Sequence, residues 1–597
     1  METKKINEIN GNQLFYSFLL GAKKIFDTQH YLNKINVFPV ADADTGTNLA
    51  STMRAIVEMS NVEGHLKMTA VSIADAALTG ARGNSGIIFA QFLYGFSNEL
   101  KDQETIDMKE FASSMEKAVP YAYEAVATPV EGTMITVIRE WANFLPIALE
   151  KTDDFHHFLA YSLKKAHQSL KETTKKLDKL AKAKVVDAGA LGFVNFLEGV
   201  SEYFKTGKIL DIESLKSTII EFSDQHIDHD DITFRYCTEA LIKGENLSKE
   251  KLKGILTGFG NSMVIAGSPR KMRIHIHTDT PWLLFEKLSK ASTILAQKVD
   301  DMVLQNEIAS RPKSKVALLT DSSCDLPSEL IEKYQIQLVP LNIHFGETFY
   351  LDGISIQTEQ FYKKLDKAPI YPTTSQPSFK DFFNRYNYLS SHYDSIIGIH
   401  LSAKLSGTWQ NSLNAANQVS KQTGKTIEVI NSKKLSSALG LLVLRAAKGL
   451  EHGMSHDEIV ALLPSWALKT KQLASTQTIK YLIKSGRVSS RRGVIGRILN
   501  LKPILEVDSS GLVIPIAKPI SNNKSRNILF NKMASFIEGK KVWGYAIAHA
   551  ENPETVEWLS KKLENVIGKP PEFIHSITPA LATHTGIGAI SLAVLLD

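Results

Sequence analysis

The sequence predicts a multidomain protein with an all-α N-terminal region, a small α+β region in the middle and an α/β C-terminal region. Three observations predict this. Across residues 13–206 apolar residues recur at three- and four-residue spacing, the period of an amphipathic helix. Between about 231 and 310, strand-like runs alternate with helical stretches. From Lys315 onward each apolar run of strand length is followed by a helical pattern, the texture of an α/β fold with a largely parallel sheet.

The N-terminal helices are expected at 13–35, 48–60, 67–80, 85–100, 108–127, 132–150, 155–181 and 188–205. Short connections marked by Gly, Asp or Pro join them, so a helical bundle or barrel is expected. The mixed, acidic stretch 212–230 reads as a connector. ITFRYCTEALI, SMVIAG and KMRIHIHT read as strands, with helices at 248–258 and 281–291 between and after them. NEIASRPKSK (306–315) is polar, contains Pro312 and reads as an interdomain linker. Beyond it VALLTD, QLVPLNIHF, SIIGIHL and TIEVINS are the strands of the α/β region. The expected domains are therefore 1–208, 209–310 and 313–597.

Composition narrows the function. A chain of 597 residues is too long for one core. No run of about eighteen apolar residues occurs, and the polar start METKKINEINGNQ predicts no secretory signal. Two cysteines, Cys237 and Cys324, cannot build a disulfide framework and suit a reducing cytoplasm. The net charge, 69 basic minus 63 acidic residues or +6, is too weak over this length to argue for nucleic acid. It leaves a mild attraction to anionic membrane surfaces open.

The first chemical cluster is Asp42-Ala43-Asp44-Thr45-Gly46-Thr47-Asn48, between the first two helices. Mg²⁺ takes hard oxygen ligands, typically one or two carboxylates with phosphate oxygens and waters. Two aspartates one residue apart on a loop can turn toward one point. Gly46 and Thr47 follow at a helix start, where free N–H groups and the helix dipole favour phosphate. Asn36 can add a further oxygen. By itself D-x-D-x-G is more often a helix-capping turn. A second cluster, Gly80-Ala81-Arg82-Gly83-Asn84-Ser85-Gly86, places three glycines in seven residues before a long apolar helix. Closely spaced glycines let a backbone wrap phosphate, and Asn84 or Ser85 would cap the helix. Pro129-Val130-Glu131-Gly132-Thr133 and the loop of Asp187, Gly189 and Gly192 complete a set of four. In an antiparallel helical barrel alternate loops share one end, so the four can ring a nucleotide.

NVFPVADADTGTN, GARGNSGIIFAQ, PVEGTMITV and VVDAGALGF, in this order and spacing, resemble the L-subunit-type domain of the dihydroxyacetone kinase family, above all the version in bacterial fatty acid kinases. The resemblance covers roughly 10–205. It implies an eight-helix barrel that holds ATP through Mg²⁺ at its open end. Asp42 and Asp44 would be metal ligands and catalytic, with Asn36 helping. Thr45, Gly46, Thr47, Asn48, Gly83, Asn84, Ser85, Gly86 and Thr133 would lie near the phosphates and Asp187 at the nucleotide rim. Ala43 and Ala190 stand where the family pattern usually has glycine.

In Arg273-Ile274-His275-Ile276-His277-Thr278 the period of two puts both histidines on one strand face, and Cys237 sits in another apparent strand. One Cys and two His suit Zn²⁺, although a small core cysteine and two partly exposed strand histidines account better for the pattern. The segment resembles the fatty acid kinase middle domain, with its YCTE and HVHT elements, and the resemblance brings metal binding level with that other reading.

In the C-terminal region Thr373-Thr374-Ser375-Gln376-Pro377-Ser378 is a hydroxyl-rich loop ahead of a helix. Ser406-Gly407-Thr408 opens another helix, Lys484-Ser485-Gly486-Arg487 is a basic turn, and Thr583-His584-Thr585-Gly586 lies near the end. Individually these are caps and turns; together they make a kit for a carboxylate, with hydroxyls, helix N-termini, one arginine and one histidine. Residues 315–597 resemble a DegV-type fatty-acid-binding protein, through LLTDSSCDLP, TTSQPS, LSAKLSGTWQ, YLIKSGRVSS, LNLKPIL and HTGIGAIS. The resemblance implies that Thr374 and Ser406 bond an acyl carboxylate, with Ser375, Gly407, Arg487 and His584 beside them and an apolar tunnel for the tail.

The expected function is ATP-dependent phosphorylation of a fatty acid carboxylate to acyl phosphate, with kinase and acyl-carrier modules in one cytoplasmic chain. The expected cofactors are ATP and Mg²⁺, with Zn²⁺ in the middle region. The expected partners are a long-chain fatty acid, a transient contact with a membrane surface or an acyltransferase, and a second copy in a homodimer. The competing readings are a nucleotide- and lipid-binding regulatory protein without turnover and a dihydroxyacetone-type small-molecule kinase.

Overall fold

The computed structural model describes residues 5–38, 44–212, 215, 232–486 and 501–597. The chain divides into two compact units, Met1–Ser310 and Arg311–Asp597.

The first unit opens with the short strand β1 (Glu8–Asn10) and helix α1 (Gly11–Lys34). Asn10 and Gln13 form a reciprocal capping box at its start, each side chain accepting the other's N–H at 3.0 Å. Helices α2 (Thr45–Met59), α3 (Leu66–Gly80) and α4 (Gly83–Glu99) follow, then β2 (Thr105–Asp107), which pairs antiparallel with β1. Next come α5 (Met108–Ala125), α6 (Met134–Ala142), α7 (Leu145–Leu149), α8 (Phe155–Lys176), α9 (Asp178–Ala183) and α10 (Ala188–Thr206).

Two expected helices are broken. The 132–150 helix ends as α6 and restarts as α7, because Pro146 has no N–H to continue the ladder and serves instead in a first turn. The 155–181 helix breaks at Leu177, whose backbone is extended. α1 and α10 meet where Gly21 and Gly199 leave room. A Cβ on Gly199 would lie 2.4 Å from the Leu20 carbonyl oxygen. The core between the helices is aromatic, with edge-on pairs Phe18–Phe196, Phe89–Phe196 and Trp141–Phe193 at 4.9, 5.0 and 5.6 Å.

An antiparallel sheet of order β4-β5-β3-β6 belongs to the same unit: β3 (Tyr236–Lys243), β4 (Gly260–Ser268), β5 (Lys271–Thr278) and β6 (Thr293–Asp301). Strand β6 and the helix Met302–Ser310 are not expected from the sequence; the helix occupies the first half of the stretch read as a linker. Val264 and Ala266 of β4 share the helical core. The Gly267 N–H donates to Gln91 Oε1 of α4 at 2.6 Å.

Among the described residues the second unit contains three sheets, and one of them is wholly parallel. β7 (Val316–Asp321), β8 (Gln337–Val339), β12 (Ser395–His400) and β13 (Thr426–Asn431) form it in the order β13-β12-β7-β8. The expectation of one largely parallel sheet is thus corrected. β14 (Thr470–Ser475), β15 (Ile504–Val507), β16 (Val513–Ala517), β17 (Val542–His549), β18 (Phe573–Ser576) and β19 (Ile590–Leu596) form a six-stranded sheet that is antiparallel except for β17–β18. β9 (Asn342–Phe345), β10 (Thr348–Leu351) and β11 (Thr373–Ser375) form a small antiparallel sheet. The single run QLVPLNIHF is divided at Pro340 between β8 and β9, in different sheets, since Pro340 cannot donate to a ladder. The apolar helix Ser436–Glu451 touches strands of both large sheets and carries much of the core. Among the described residues no helix is long and apolar enough to cross a membrane.

Candidate functional site

The first site is built from the loops at the starts of α2, α4, α6 and α10. Asp42 lies outside the described residues. Asp44 is the N-cap of α2 and does not cap it with its side chain. Thr45, Gly46, Thr47 and Asn48 form the buried first turn. Gly46 is required there, because a Cβ would fall 2.1 Å from the Gln29 carbonyl oxygen of α1. Thr47 is bound to α1: its N–H donates to Asn33 Oδ1 at 3.0 Å and its hydroxyl accepts from Asn33 Nδ2 at 2.9 Å. Asn36 is buried just after α1.

The glycine loop leans on this turn. Gly83 has a φ of +56°, and a Cβ on it would meet Asn48 Nδ2 at 2.2 Å; one on Gly86 would meet Thr52 Oγ1 at 2.6 Å. The loop also touches α10. A Cβ on Gly189 would lie 2.8 Å from Ser85 Oγ, 3.4 Å from Asp187 Oδ1 and 3.4 Å from the Met134 Cβ. These contacts bring the four loops to one end of the helical region. Asn84 Oδ1 is buried without a hydrogen-bond partner among the described residues. An orphaned buried amide oxygen in this loop fits a hydrated cation or a polar ligand.

Thr133 is the N-cap of α6 and its hydroxyl donates to the Val130 carbonyl at 2.8 Å. Its loop is fixed by Arg139, which grips Glu131 with both η-nitrogens at 2.5 and 2.9 Å, while Tyr123 and Thr136 donate to the same carboxylate. Asp187 caps α10, accepting from the Ala190 N–H at 2.8 Å. Burial pushes its carboxyl up to about 6. Ala190 lies inside the first turn of α10, where alanine needs no special dihedral.

The middle sheet supplies a second cluster. β3 and β5 pair so that Cys237 faces His277 and Glu239 faces His275, which puts all four on one side of the sheet. The ligand atoms of Cys237, His275 and His277 lie within 4.8 Å of one another, and all three residues are buried. Burial, with His275 beside it, lowers His277 to about 3 and keeps it neutral, the form a metal needs. Burial raises the Cys237 thiol, and the nearby Lys298 charge only partly opposes it. Glu239 is the residue that sequence reasoning missed. Its Oε1 accepts the Gly83 N–H at 2.7 Å and its Oε2 pairs with Arg273 Nη2 at 2.9 Å. Burial opposes its ionisation, but His275, Arg273 and Lys298 hold it well below the usual carboxylate range. One Gly83 donor expected to meet phosphate is therefore already satisfied inside the protein.

In the second unit the period of two on β11 separates neighbouring hydroxyls. Thr374 Oγ1 lies 3.0 Å from His584 Nε2, whereas Ser375 Oγ lies 2.9 Å from His344 Nε2 on β9. Thr374 and His584 are thus together, and Ser375 makes its contact elsewhere. Ser406 Oγ is 2.8 Å from Thr408 Oγ1 at the start of the helix Thr408–Thr423. The TTSQPS loop abuts that turn: a Cβ on Gly407 would meet Gln376 Oε1 at 2.4 Å, and Asn411 Nδ2 donates to the Pro377 carbonyl at 2.9 Å. Arg487 lies outside the described residues.

Family models match the DAK2 domain over residues 39–202, the middle domain of fatty acid kinase-like proteins over 233–309 and the DegV family over 315–597. The chain joins a DAK2 domain and a fatty acid kinase-like middle domain to a DegV domain. An uncharacterized Staphylococcus saprophyticus protein is 33% identical over 310 residues, 50% of this chain and 56% of that protein. An uncharacterized Staphylococcus aureus protein is 30% identical over 325 residues, 52% of this chain and 59% of its own length. The chain thus spans little more than half the length of these curated relatives. Among solved structures, a Thermus thermophilus DegV family protein described as binding fatty acid is 27% identical with a TM-score of 0.43, covering 47% of this chain and 99% of that one. The Bacillus subtilis DegV, described as a fatty acid binding protein, is 28% identical with a TM-score of 0.42, covering 48% and 100%.

The DAK2 loops and the middle-domain cluster are neighbours, which no local motif announces. Asp44 lies close enough for its charge to act on Cys237, and Arg82 of the glycine loop acts on Arg273 and Lys298. The only hint in the sequence is the single glutamate of YCTE, which reads as an ordinary polar residue of a strand.

Proposed function

We propose that this protein transfers the γ-phosphoryl group of ATP to the carboxylate of a long-chain fatty acid, giving acyl phosphate and ADP. The observation that carries the reading is the meeting of four loop starts at one end of the DAK2 helices, within a chain whose DegV domain joins Thr374 and His584 at 3.0 Å. The eight-helix barrel, the homodimer and the transient membrane or acyltransferase contact belong to this proposal.

Asp44, with Asp42 and Asn36, would hold Mg²⁺, which when bound neutralises phosphate charge and fixes its orientation. Thr45, Gly46 and Asn48 of the α2 turn, with Asn84 and Ser85, would surround the phosphates. Cys237, His275 and His277 would hold Zn²⁺, whose ligands on a tetrahedral ion sit about 3.5 Å apart; small side-chain rotations would close the observed cluster. In the DegV domain Thr374 and Ser406 would donate to the acyl carboxylate, with His584 and Arg487 beside it. A carboxylate with a pKa of about 4–5 is already ionised at neutral pH, so the attacking oxygen needs no general base. Catalysis rests on positioning and charge neutralisation.

The test is ATP consumption by the full-length protein with oleate or palmitate, against dihydroxyacetone as the competing acceptor. Acid-dependent ADP release that Asp44→Ala abolishes, with oleate binding retained, is expected. Full activity in Asp44→Ala would reject the site. Oleate binding without acid-stimulated turnover would favour the regulatory reading.

A further inference from the structure

The turn Asp321-Ser322-Ser323-Cys324-Asp325 ends β7 and takes no direct part in the proposed reaction. Its polar groups are nonetheless buried, and Asp321, Ser322 and Asp325 are each committed to a distant segment. Asp321 Oδ2 accepts from the Leu401 N–H at 3.0 Å and lies 3.1 Å from His400 Nδ1. His400 Nε2 continues to Ser412 Oγ at 2.7 Å, and Ser412 to the Tyr386 hydroxyl at 2.6 Å. Asp321, His400, Ser412 and Tyr386 are wholly buried. A serine, histidine and aspartate in this order have the connectivity of a hydrolytic triad, but buried and tied to Tyr386 this serine has no route to a substrate. The chain instead fixes the end of β12 and the helix on either side of Ser406.

The other half of the turn reaches the opposite arm of the carboxylate site. Ser322 Oγ donates to Asp352 Oδ2 at 2.7 Å and accepts from the Leu341 N–H at 3.0 Å. Asp352 Oδ1 then accepts from the Ala580 N–H at 3.0 Å. Asp325, in the left-handed region at φ +47°, takes the Ser436 hydroxyl at 2.5 Å on one oxygen and the Thr578 N–H at 2.9 Å on the other. Thr578 and Ala580 flank Pro579 at the start of the helix Pro579–Thr585, which ends with His584 and Thr585. A helix this short has little stability of its own, so its anchors decide where His584 stands.

We infer that Asp325 and Asp352 are positioning residues for His584, and that Asp321 does the same for the loop carrying Ser406. One five-residue turn thereby sets the spacing between the two arms that meet an acyl carboxylate. Resting on the proposed fatty-acid reading, the inference goes beyond it by assigning roles to groups that never touch ligand. Paired buried aspartates are a costly way to stabilise a fold, and their use here is explained when the position of a helix, rather than stability alone, is what they set.

The test uses full-length protein and two probes that share a tail, oleate and oleyl alcohol, with binding measured by calorimetry. Asp325→Ala and Asp352→Ala should weaken oleate about tenfold while oleyl alcohol changes less than about twofold. Asp352→Asn should restore oleate binding, because its carbonyl still accepts from Ala580 and its amide can donate to Ser322 Oγ. Unchanged oleate affinity in both alanine variants, or equal loss of acid and alcohol in a folded variant, would overturn the inference. Should the alanine variants fail to fold, Ser322→Ala and Ser436→Ala replace them, and an unchanged acid-to-alcohol ratio in both overturns it. Wild-type protein that binds neither probe would instead defeat the proposed function and leave no role for the turn.

Discussion

Replacing Glu239 with alanine probes the tie between the middle sheet and the glycine loop. Its side chain is 1% exposed, and that of its ion-pair partner Arg273 is 7% exposed. Removing one member of a buried ion pair leaves the other charge uncompensated and costs about 3–5 kcal/mol. The orphaned Gly83 N–H adds about 1–3 kcal/mol. The two terms share one carboxylate and are not additive, so about 4 kcal/mol is expected, a large part of the roughly 5–15 kcal/mol that holds a domain folded. Hydrogen exchange read by mass spectrometry should show faster exchange in β3, β5 and the first turn of α4, with the second unit unchanged. The double substitution Glu239→Met with Arg273→Met removes both charges and should recover most of the stability. It should not recover nucleotide affinity if the carboxylate sets the Gly83 loop. Exchange in Glu239→Ala indistinguishable from wild type would refute the tie, and full nucleotide affinity in the double variant would refute its role in the site.

Metal analysis of purified protein should find about one Zn²⁺ per chain, lost in His275→Ala; stoichiometric metal in that variant would remove the cluster from consideration. Gly46→Ala should destabilise by about 1–3 kcal/mol through overpacking, since its Cβ would stand 2.1 Å from the Gln29 carbonyl; a melting point equal to wild type would show that α1 and α2 separate easily. Asp325 and Asp352 are each raised by burial from the usual carboxylate range to about 7. Between about pH 4 and 7 the folded state therefore holds protons that the unfolded state has released, so stability falls as pH rises through that window. Denaturant unfolding should show this slope, and Asp325→Asn or Asp352→Asn should flatten it and be the more stable form at pH 8; a slope unchanged by both would refute the assignment.

The helical part of the fold was legible because period 3.6 is written locally: six of the eight expected helices form unbroken, and the two that break do so at Pro146 and Leu177. Strand β6 was not legible. Its residues are mostly half-buried, so TILAQKVDD carries no apolar alternation. The six-stranded sheet was hidden for a different reason: β14 pairs with β19, about 120 residues later, and nothing in either run names its partner. The same division holds for the sites. Period two placed His275 and His277 on one face, and the structure adds the register that brings Cys237 to them. Ser375 was grouped with Thr374 by adjacency, yet adjacent strand residues point apart. Glu239 to Gly83 spans 156 positions and Asp325 to Thr578 spans 253; contacts of that range leave no local pattern.

The charges around the glycine loop bear on how an ATP-dependent reaction would run there. Arg82, Arg273 and Lys298 contribute three positive charges, and Glu239, Asp300 and Asp44 three negative ones, all acting within one cluster. Lys298 is paired directly with Asp300, and Arg273 with Glu239. Two of the three basic residues are thus committed to protein carboxylates, and among the described residues these six charges sum to zero. A polyanion entering such a site must bring its own counter-charge, which is what a divalent cation held by Asp44 would supply. Charge balance would also let Glu239 sit at the N-terminus of α4 without repelling an anionic ligand, because Arg273 pairs with it. Replacing Arg273 alone should therefore harm nucleotide binding more than replacing both partners, because it would leave an uncompensated carboxylate beside the phosphates.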